Sequence, residues 1–403
     1  MNIPLVKTAD YAYDLPQERI AQFPLAERDA SKLLVHDAAG NFQTDAYANI
    51  ANYIPANSFM VFNNSKVVPA RILFVKETSG IIELFCLAPV EGAPHQALQQ
   101  QGNSTWICMI GGLKKWRTTH ALKWILESIH CEVEANFLGK NDYGFIVQFN
   151  WTNTSKTFAE ILDLLGQMPI PPYLMRKAVA EDAKRYQTVY ASVEGSVAAP
   201  TAGLHFTEKI FDTLKQKNIS LAYTTLHVGA GTFKPVSAHF AHEHSMHAEW
   251  IEIDKTLVQQ LINAESITAI GTTSLRTLES IYWYAFVCSH QQTLQNADFV
   301  LPQFIPYENA DTLPKNILLS QLLAFMQSQK VERIYFQTAL MIMPSYNMKV
   351  ANRLVTNFHQ PKSTLLMLVD AFTKGNWKPM YDYALTNDFR FLSYGDGCII
   401  DWL

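Results

Sequence analysis

Glycine, histidine and small side chains are concentrated in a few short runs of this 403-residue chain. The most informative run is residues 182–207, whose small residues let backbone N–H groups approach a ligand before a helix that Thr207 is predicted to begin. A loop of this kind at a helix N-terminus suits a carboxylate or a phosphate. Within it, Arg185, Tyr186 and His205 can pair with an anion, stack against a ring or move a proton.

A second run, residues 224–249, ends a predicted strand at His227 and continues as Gly-Ala-Gly-Thr. This pattern differs from GxGxxG, and no helical period follows it directly, so we reject a dinucleotide-binding interpretation. Histidines then occupy positions 239, 242, 244 and 247, and Glu249 follows them. Neutral imidazoles at short spacing can share one ion, so a metal-dependent hydrolase built on His239–His247 is an alternative.

Two further loops join a predicted strand to a predicted helix nearer the C-terminus. Residues 271–280 place Arg276 one turn into a helix, and residues 356–369 place Asn357 and His359 just before another helix. Loops of this kind lie at the carboxyl ends of strands, where α/β sheets bind ligands. We therefore expect ligand contacts from both loops.

The elements that must position these residues follow two patterns. Between residues 59 and 149, strand-like segments succeed one another at short intervals, which predicts a small β-barrel-like insert over residues 72–150. The flanking residues, 1–71 and 151–403, alternate strands with helices and predict a main α/β domain that the insert splits. Examples are the predicted helices 158–165 and 255–264 and the predicted strands 221–228, 267–271 and 390–394.

Residues 281–330 differ in composition from the rest of the main domain. Ile281–Pro314 contain Asp298, Glu308 and Asp311 but no Lys or Arg, so this segment alone contributes −3 to the formal net charge of −4. We interpret residues 281–330 as an acidic surface excursion, because long loops usually vary without carrying chemistry.

Composition and termini restrict the class of protein. Hydrophobic residues make up 48% of the chain, which is ample for a large core and excludes disorder as the main theme. No basic start with an apolar run opens the sequence, and no apolar stretch is long enough to span a bilayer. Five cysteines form no CxxC pair, which argues against a zinc ribbon or a disulfide framework. We predict a cytoplasmic protein that makes no membrane contact.

Local charge is more informative about RNA than net charge. Residues 111–126 contain basic side chains and no acidic one, and residues 345–378 contain five basic side chains against Asp370 alone. Both segments are suited to phosphate contacts. The candidate RNA-binding side chains are Lys114, Lys115, Arg117, Lys349 and Arg353.

Several of these runs together resemble one known family. RDASKLL, VAAPTAGLHFT, LHVGAGTF, HSMHAEW, GTTSLRTLES, TNFHQPKSTLLMLVDAF and FLSYGDG are similar to motifs of the S-adenosylmethionine:tRNA ribosyltransferase-isomerases of queuosine biosynthesis. The resemblance extends from Asp10 to Ile400, apart from residues 281–330. It implies an α/β fold in which a mixed-sheet main domain is split by an inserted small β-barrel domain.

The resemblance also implies a reaction. The ribosyl part of S-adenosylmethionine is transferred to 7-aminomethyl-7-deazaguanine (preQ1) at the tRNA wobble position and isomerised, giving epoxyqueuosine, adenine and methionine. It implies no metal and no cofactor beyond S-adenosylmethionine, which is a substrate, and we expect a monomer. A family paralogue that binds RNA without catalysis is a second alternative.

This chemistry requires a base beside the acidified carbon of the sulfonium, an aromatic face for the sulfonium and cations for carboxylate or phosphate groups. The candidate catalytic residues are His205, His227, His247, Glu249 and Asp29. The candidate substrate-binding residues are Arg28, Arg71, Arg185, Tyr186, Thr201, Gly203, Phe206, Gly229, Gly231, Thr273, Ser274, Arg276, Asn357, His359 and Lys362.

The sequence departs from the family pattern at two acidic positions. Asn64 stands where the family usually has an acid in its NDT-like turn, and Ala339 replaces the acid of a TDIF-like segment. Any role of those carboxylates in relatives is therefore in doubt for this chain.

Overall fold

The computed structural model describes residues 3–76, 80–116, 120–229, 236–309 and 312–402. Within these ranges the strands are β1 Lys32–His36, β2 Phe42–Ala46, β3 Phe59–Asn63, β4 Ser65–Val67, β5 Arg71–Val75, β6 Ile81–Pro89, β7 Asn103–Gly111, β8 Leu122–Leu126, β9 Cys131–Asn141, β10 Gly144–Trp151, β11 Gly166–Gln167, β12 Val193–Ser196, β13 Ser220–Leu226, β14 Glu249–Asp254, β15 Ile267–Ile270, β16 Val300–Leu301, β17 Arg333–Thr338, β18 Arg353–Asn357 and β19 Gly397–Asp401. The α-helices are α1 Pro94–Leu98, α2 Phe158–Leu165, α3 Asp182–Arg185, α4 Glu208–Gln216, α5 Lys255–Asn263, α6 Thr272–Gln291, α7 Ile305–Glu308, α8 Lys315–Ser328, α9 Thr364–Thr373 and α10 Trp377–Thr386.

A mixed ten-stranded sheet has the order β16-β17-β14-β13-β3-β15-β18-β19-β1-β2. Its central strands β13, β3, β15 and β18 are parallel, so their carboxyl ends share one edge of the sheet. Strands β14 and β19 run antiparallel to β13 and β18, and therefore begin at that same edge. The predicted α/β architecture is confirmed, and the edge gathers the loops that the sequence analysis identified.

A second, curled sheet is antiparallel and has the order β11-β5-β6-β7-β10-β9-β8. It encloses its own apolar cluster, which includes Trp106 and Phe149. We expected helix α2 within the main domain. It packs against the curled sheet instead, where the Phe158 ring contacts Trp106 and Phe149. The division of the chain into a main domain and an inserted domain over residues 72–150 remains a prediction.

The interpretation of residues 281–330 as a surface excursion is wrong for their first part. Tyr282, Trp283 and Tyr284 belong to helix α6 and are at most 1% exposed within the main core. Residues 281–286 of helix α6 are all buried, and a helical segment that is buried on every side is apolar all round. The lack of charge in residues 281–288 therefore reflects burial. Farther along, α8 packs against α5 and α6, and β16 pairs with β17.

The other predicted elements have mixed outcomes. The helices at 158–165 and 255–264 and the strand at 267–271 are confirmed to within a residue. The strand predicted at 390–394 is wrong, because these residues form a turn held by Asp396, whose carboxylate accepts hydrogen bonds from the backbone N–H groups of Arg390 and Lys32. In the described part of the chain, no helix has the length and apolar character needed to cross a membrane.

Candidate active site

A cleft opens where the parallel strands end. Its walls come from residues 198–202, from the start of α6 after β15, and from the segment that follows β18. A second cavity shares Thr272, Thr273 and Leu365 with the first, so the two lie side by side. Five predicted substrate-binding residues line the main cleft: Tyr186, Thr201, Thr273, Asn357 and His359.

Asn357, the last residue of β18, presents an unpaired acceptor in the main cleft. Its Nδ2 donates to Nε2 of His205 at 3.2 Å and to the carbonyl of Asp396 at 3.4 Å. The Oδ1 atom has no hydrogen-bond partner among the described residues, and the side chain is 2% exposed. A buried acceptor without a partner is costly, and a ligand that donates a hydrogen bond removes that cost.

His205 is held in one tautomer by its neighbours. Because Nε2 accepts from Asn357, Nδ1 carries the proton and donates to the carbonyl of Arg28 at 3.3 Å. Burial lowers the pKa of His205 to about 4, so the ring is neutral at pH 7. Both ring nitrogens are thus occupied, and this geometry suits a residue that orients Asn357 better than it suits a free base.

His359 is the second buried imidazole of this wall. Its Nε2 lies 3.0 Å from Thr356 Oγ1, and its backbone N–H donates to the Tyr381 hydroxyl at 2.8 Å. The Tyr13 hydroxyl donates to its carbonyl oxygen at 2.5 Å. Burial lowers the pKa of His359 to about 3. The segment after β18 is therefore held in place by Tyr13 and Tyr381, which come from other parts of the sequence.

The start of helix α6 provides further polar groups. Thr273 lines both cavities, and its buried Oγ1 has no partner among the described residues. The first N–H groups of a 20-residue helix point toward the same place and favour an anion. Ser274, also predicted to bind substrate, is committed elsewhere, because its hydroxyl donates to Ile270 O at 2.7 Å.

Glu249 and Arg276 form a buried ion pair in the second cavity. Arg276 also donates to the carbonyls of Leu340 and Thr338, each at 2.9 Å. Glu249 Oε2 pairs with Arg276, and Glu249 Oε1 accepts a hydrogen bond from the Gly229 N–H at 2.9 Å. Much of the donor capacity of Arg276 is therefore used within the protein. His247 lines the same cavity and is exposed.

A third, smaller cavity brings Arg28 and Arg185 together beside His205. Burial lowers the pKa of Arg28, and the neighbouring charge of Arg185 adds to that effect. Arg28 donates to the carbonyls of Leu204 and Lys184, each at 3.0 Å. Ser393 belongs to the lining of both this cavity and the main cleft, so a positive region adjoins the cleft.

Other predicted site residues have local structural partners. Asp29 accepts a hydrogen bond from Thr207 Oγ1 at 3.0 Å beside the cap of α4. Phe206 is fully buried, and its ring contacts Phe62 and Tyr47 edge to face. Gly203 packs against the Tyr190 hydroxyl, which leaves no room for a Cβ atom.

The remaining predicted residues lie outside the cleft walls. Arg71 pairs with Glu83 on the curled sheet, and Lys362 is exposed. Among the basic candidates, Lys114 and Lys115 are exposed, Lys349 is partly buried, and Arg353 pairs with Asp401 at 2.5 Å. Two predicted site residues, Gly231 and Arg117, lie outside the described residues.

Sequence reasoning missed several polar residues near these cavities. Tyr173, Thr356 and Ser393 line the main cleft and were not predicted as site residues, although Thr356 lies in the run 356–369 and Ser393 in the FLSYGDG motif. His227 was predicted, but its partners were not: it lies near His95 and Glu252 rather than near the other predicted catalytic residues. Burial lowers the pKa of His227 to about 3. In the described ranges, the histidines at 239–247 do not form a group suited to a metal ion.

Known proteins are similar to this chain over nearly its whole length. Residues 8–400 match the family described as queuosine biosynthesis protein, and the chain belongs to that family. It is 35% identical over 397 residues to the S-adenosylmethionine:tRNA ribosyltransferase-isomerase of Trichlorobacter lovleyi, covering 97% of this chain and 98% of that protein. It is also similar to the crystal structure of the S-adenosylmethionine tRNA ribosyltransferase of Thermotoga maritima, with 25% identity, coverage of 97% and 99%, and a TM-score of 0.46.

Proposed function

We propose that this protein transfers the ribosyl part of S-adenosylmethionine to preQ1 at the wobble position of tRNA and isomerises it, releasing adenine and methionine. One observation carries the proposal: 35% identity over nearly the full length of both chains to a relative named for this ribosyltransferase-isomerase activity. The product would be an epoxyqueuosine nucleoside in the tRNA.

The main cleft has groups that suit S-adenosylmethionine. The unpaired Oδ1 of Asn357 accepts a hydrogen bond from an amino or hydroxyl group of the substrate. The Thr273 hydroxyl and the first N–H groups of α6 suit the methionine carboxylate. Tyr173 lines the cleft and offers aromatic surface to the sulfonium, and Tyr186 lies buried in the same wall.

For the proton-abstraction step we assign the base to His247. It is exposed in the second cavity near Glu249, whereas His205 has both ring nitrogens engaged. The carbon beside a sulfonium is acidified, so an imidazole is a base of suitable strength. Glu249, held by Arg276 and the Gly229 N–H, lines the same cavity.

Contacts with tRNA phosphates would come from two places. The cavity with Arg28 and Arg185 adjoins the main cleft and suits a phosphate close to the modified nucleotide. Lys114 and Lys115 are exposed in a short 3-10 helix that follows β7 of the curled sheet, and they suit the tRNA backbone farther away.

Four further expectations belong to this proposal. Residues 72–150 form an inserted β-barrel-like domain, a division supported by the separate core of the curled sheet. The protein acts in the cytoplasm and as a monomer. The reaction uses no cofactor beyond S-adenosylmethionine.

The decisive experiment supplies purified protein with S-adenosylmethionine and tRNA that carries preQ1. We expect adenine and methionine in equal amounts and a matching mass increase of the nucleoside, and no release with tRNA that carries guanine. His247→Ala should abolish adenine release, while His239→Ala, an exposed histidine outside the cavities, serves as the matched control. Tight tRNA binding without adenine release would overturn the proposal in favour of an RNA-binding paralogue.

A further inference from the structure

Three potential metal ligands from separate elements meet outside the cavities described above. His95 belongs to α1, His227 follows β13, and Glu252 belongs to β14. One ligand atom from each residue lies within 4.8 Å of the other two, and no other such group of three occurs in the described part of the chain. These elements come from both sheets, because α1 lies between β6 and β7 of the curled sheet, whereas β13 and β14 belong to the large sheet.

The imidazoles in this group lack hydrogen-bond partners. His227 is 5% exposed, and neither of its ring nitrogens has a partner among the described residues. The Nδ1 atom of His95 is also buried without one. Buried polar atoms are almost always satisfied, and leaving them unpaired costs free energy. Each neutral imidazole has one nitrogen lone pair, so His95 and His227 can offer two lone pairs beside a carboxylate, an arrangement suited to a cation.

The surroundings hold these residues in place. The His95 ring stacks between Tyr335, at 5.5 Å between ring centroids, and His227, at 6.2 Å. Arg333 donates to Oε1 of Glu252 at 2.5 Å, which orients the carboxylate as outer partners of metal ligands do. Gly195 allows β12 to lie close to His227 and Pro94. A Cβ atom at this position would lie 2.6 Å from His227 Nδ1 and 2.9 Å from Pro94.

We propose that His95, His227 and Glu252 bind one divalent transition-metal ion of the Zn²⁺ type, which joins α1 to the large sheet. Two imidazoles and one carboxylate are a ligand set typical of zinc, whereas calcium and magnesium prefer oxygen ligands. Tetrahedral zinc places its ligand atoms about 3.4 Å apart, given bonds of about 2.1 Å. The three side chains therefore close inward when the ion binds.

This ion is structural and independent of the proposed ribosyl transfer. His227 was predicted as a catalytic residue, but none of the three ligands lines the cavities that hold His205, His247 and Glu249. The site is also distinct from the histidines at 239–247.

The test uses full-length, tag-free protein stripped with a chelator and then titrated with Zn²⁺ or Co²⁺. We expect one equivalent to bind, a visible absorption band typical of tetrahedral Co²⁺, and a higher melting temperature with Zn²⁺. His95→Gln and His227→Gln should each weaken binding at least about tenfold. His239→Gln, a change of the same kind at an exposed position, should leave binding unchanged.

His227 is buried, so its variant is interpreted only if its circular dichroism without metal matches that of the unmodified protein. His95 is less buried, and His95→Gln therefore carries the test if the other variant does not fold. Failure of the unmodified protein to bind one equivalent at micromolar Zn²⁺ would overturn the proposal. Undiminished binding by His95→Gln, or loss of binding in His239→Gln, would do so as well.

Discussion

The side-chain amide of Asn357 donates a hydrogen bond to Nε2 of His205 across 152 positions of sequence. The contact joins the carboxyl end of β18 to the loop before α4 and fixes both side chains. It leaves Asn357 Oδ1 as a buried acceptor in the main cleft. Two residues predicted separately, one as a base and one as a ligand contact, thus act as a single unit.

Replacing Asn357 with alanine removes the free acceptor while leaving the cleft open. We expect kcat/KM for S-adenosylmethionine to fall roughly tenfold to a hundredfold, because one buried hydrogen bond to the substrate is lost. Steady-state adenine release measures the change. Asn387→Ala, at an exposed helix end, is the matched control, and equal kinetics for the two variants would contradict the assignment.

Acid should destabilise the protein partly through His205. Its pKa is about 4 in the folded state and about 6.5 in the unfolded chain, so the unfolded chain binds more protons between these values. The stability is therefore fully present above about pH 6.5 and declines as the pH falls toward 4. The charged groups that face the ring act in both directions: Asp396 raises the pKa, and Arg390 and Arg28 lower it.

Urea unfolding at pH 7, 6 and 5 tests this expectation. His205→Gln should lose less free energy of unfolding over that range than the unmodified protein, by the contribution of one proton. His359 and His227, each with a pKa of about 3 in the folded state, gain protons on unfolding in both proteins and contribute to the residual slope. Parallel pH profiles would show that His205 is charged or accessible in the folded state.

A methyl group at Gly195 should disturb the contact between the two sheets. The residue has φ of 140°, and a Cβ atom would collide with His227 and Pro94. We expect Gly195→Ala to lower the free energy of unfolding by about 2–4 kcal/mol, from backbone strain together with overpacking. Gly139→Ala separates these causes, since Gly139 has φ of 157° but nothing within 4 Å of its Cβ position. A similar loss in both variants would assign the effect to backbone strain alone.

Charge reversal at Lys114 and Lys115 should weaken tRNA binding most at low salt. Each lost phosphate contact reduces the slope of log K against log salt by about 0.7 to 0.9. Binding isotherms between 50 and 200 mM salt, with Lys140→Glu as an exposed control on the same sheet, measure this slope. An unchanged slope would place the tRNA elsewhere on the surface.

The features determined by the sequence itself are local ones. Thr207 caps α4 by accepting the Ile210 N–H, and the spacing of apolar residues marks α2, because helix caps and periodicity depend on neighbours within a few positions. The family motifs are equally local. Clustering of the loops after β15 and β18 was predictable as well, since parallel strands bring their carboxyl ends together.

Only the tertiary structure decided which of these side chains are free to act. Phe206 and Arg353 belong to motif or basic segments, yet one packs into the core and the other pairs with Asp401. The composition of residues 281–288 predicted a surface excursion. The structure shows that these residues belong to the core, because α6 packs against α8 and the large sheet. His95, His227 and Glu252 meet only through the docking of two sheets. Burial and pairing depend on contacts between segments far apart in the chain, and spacing along the sequence does not encode those contacts.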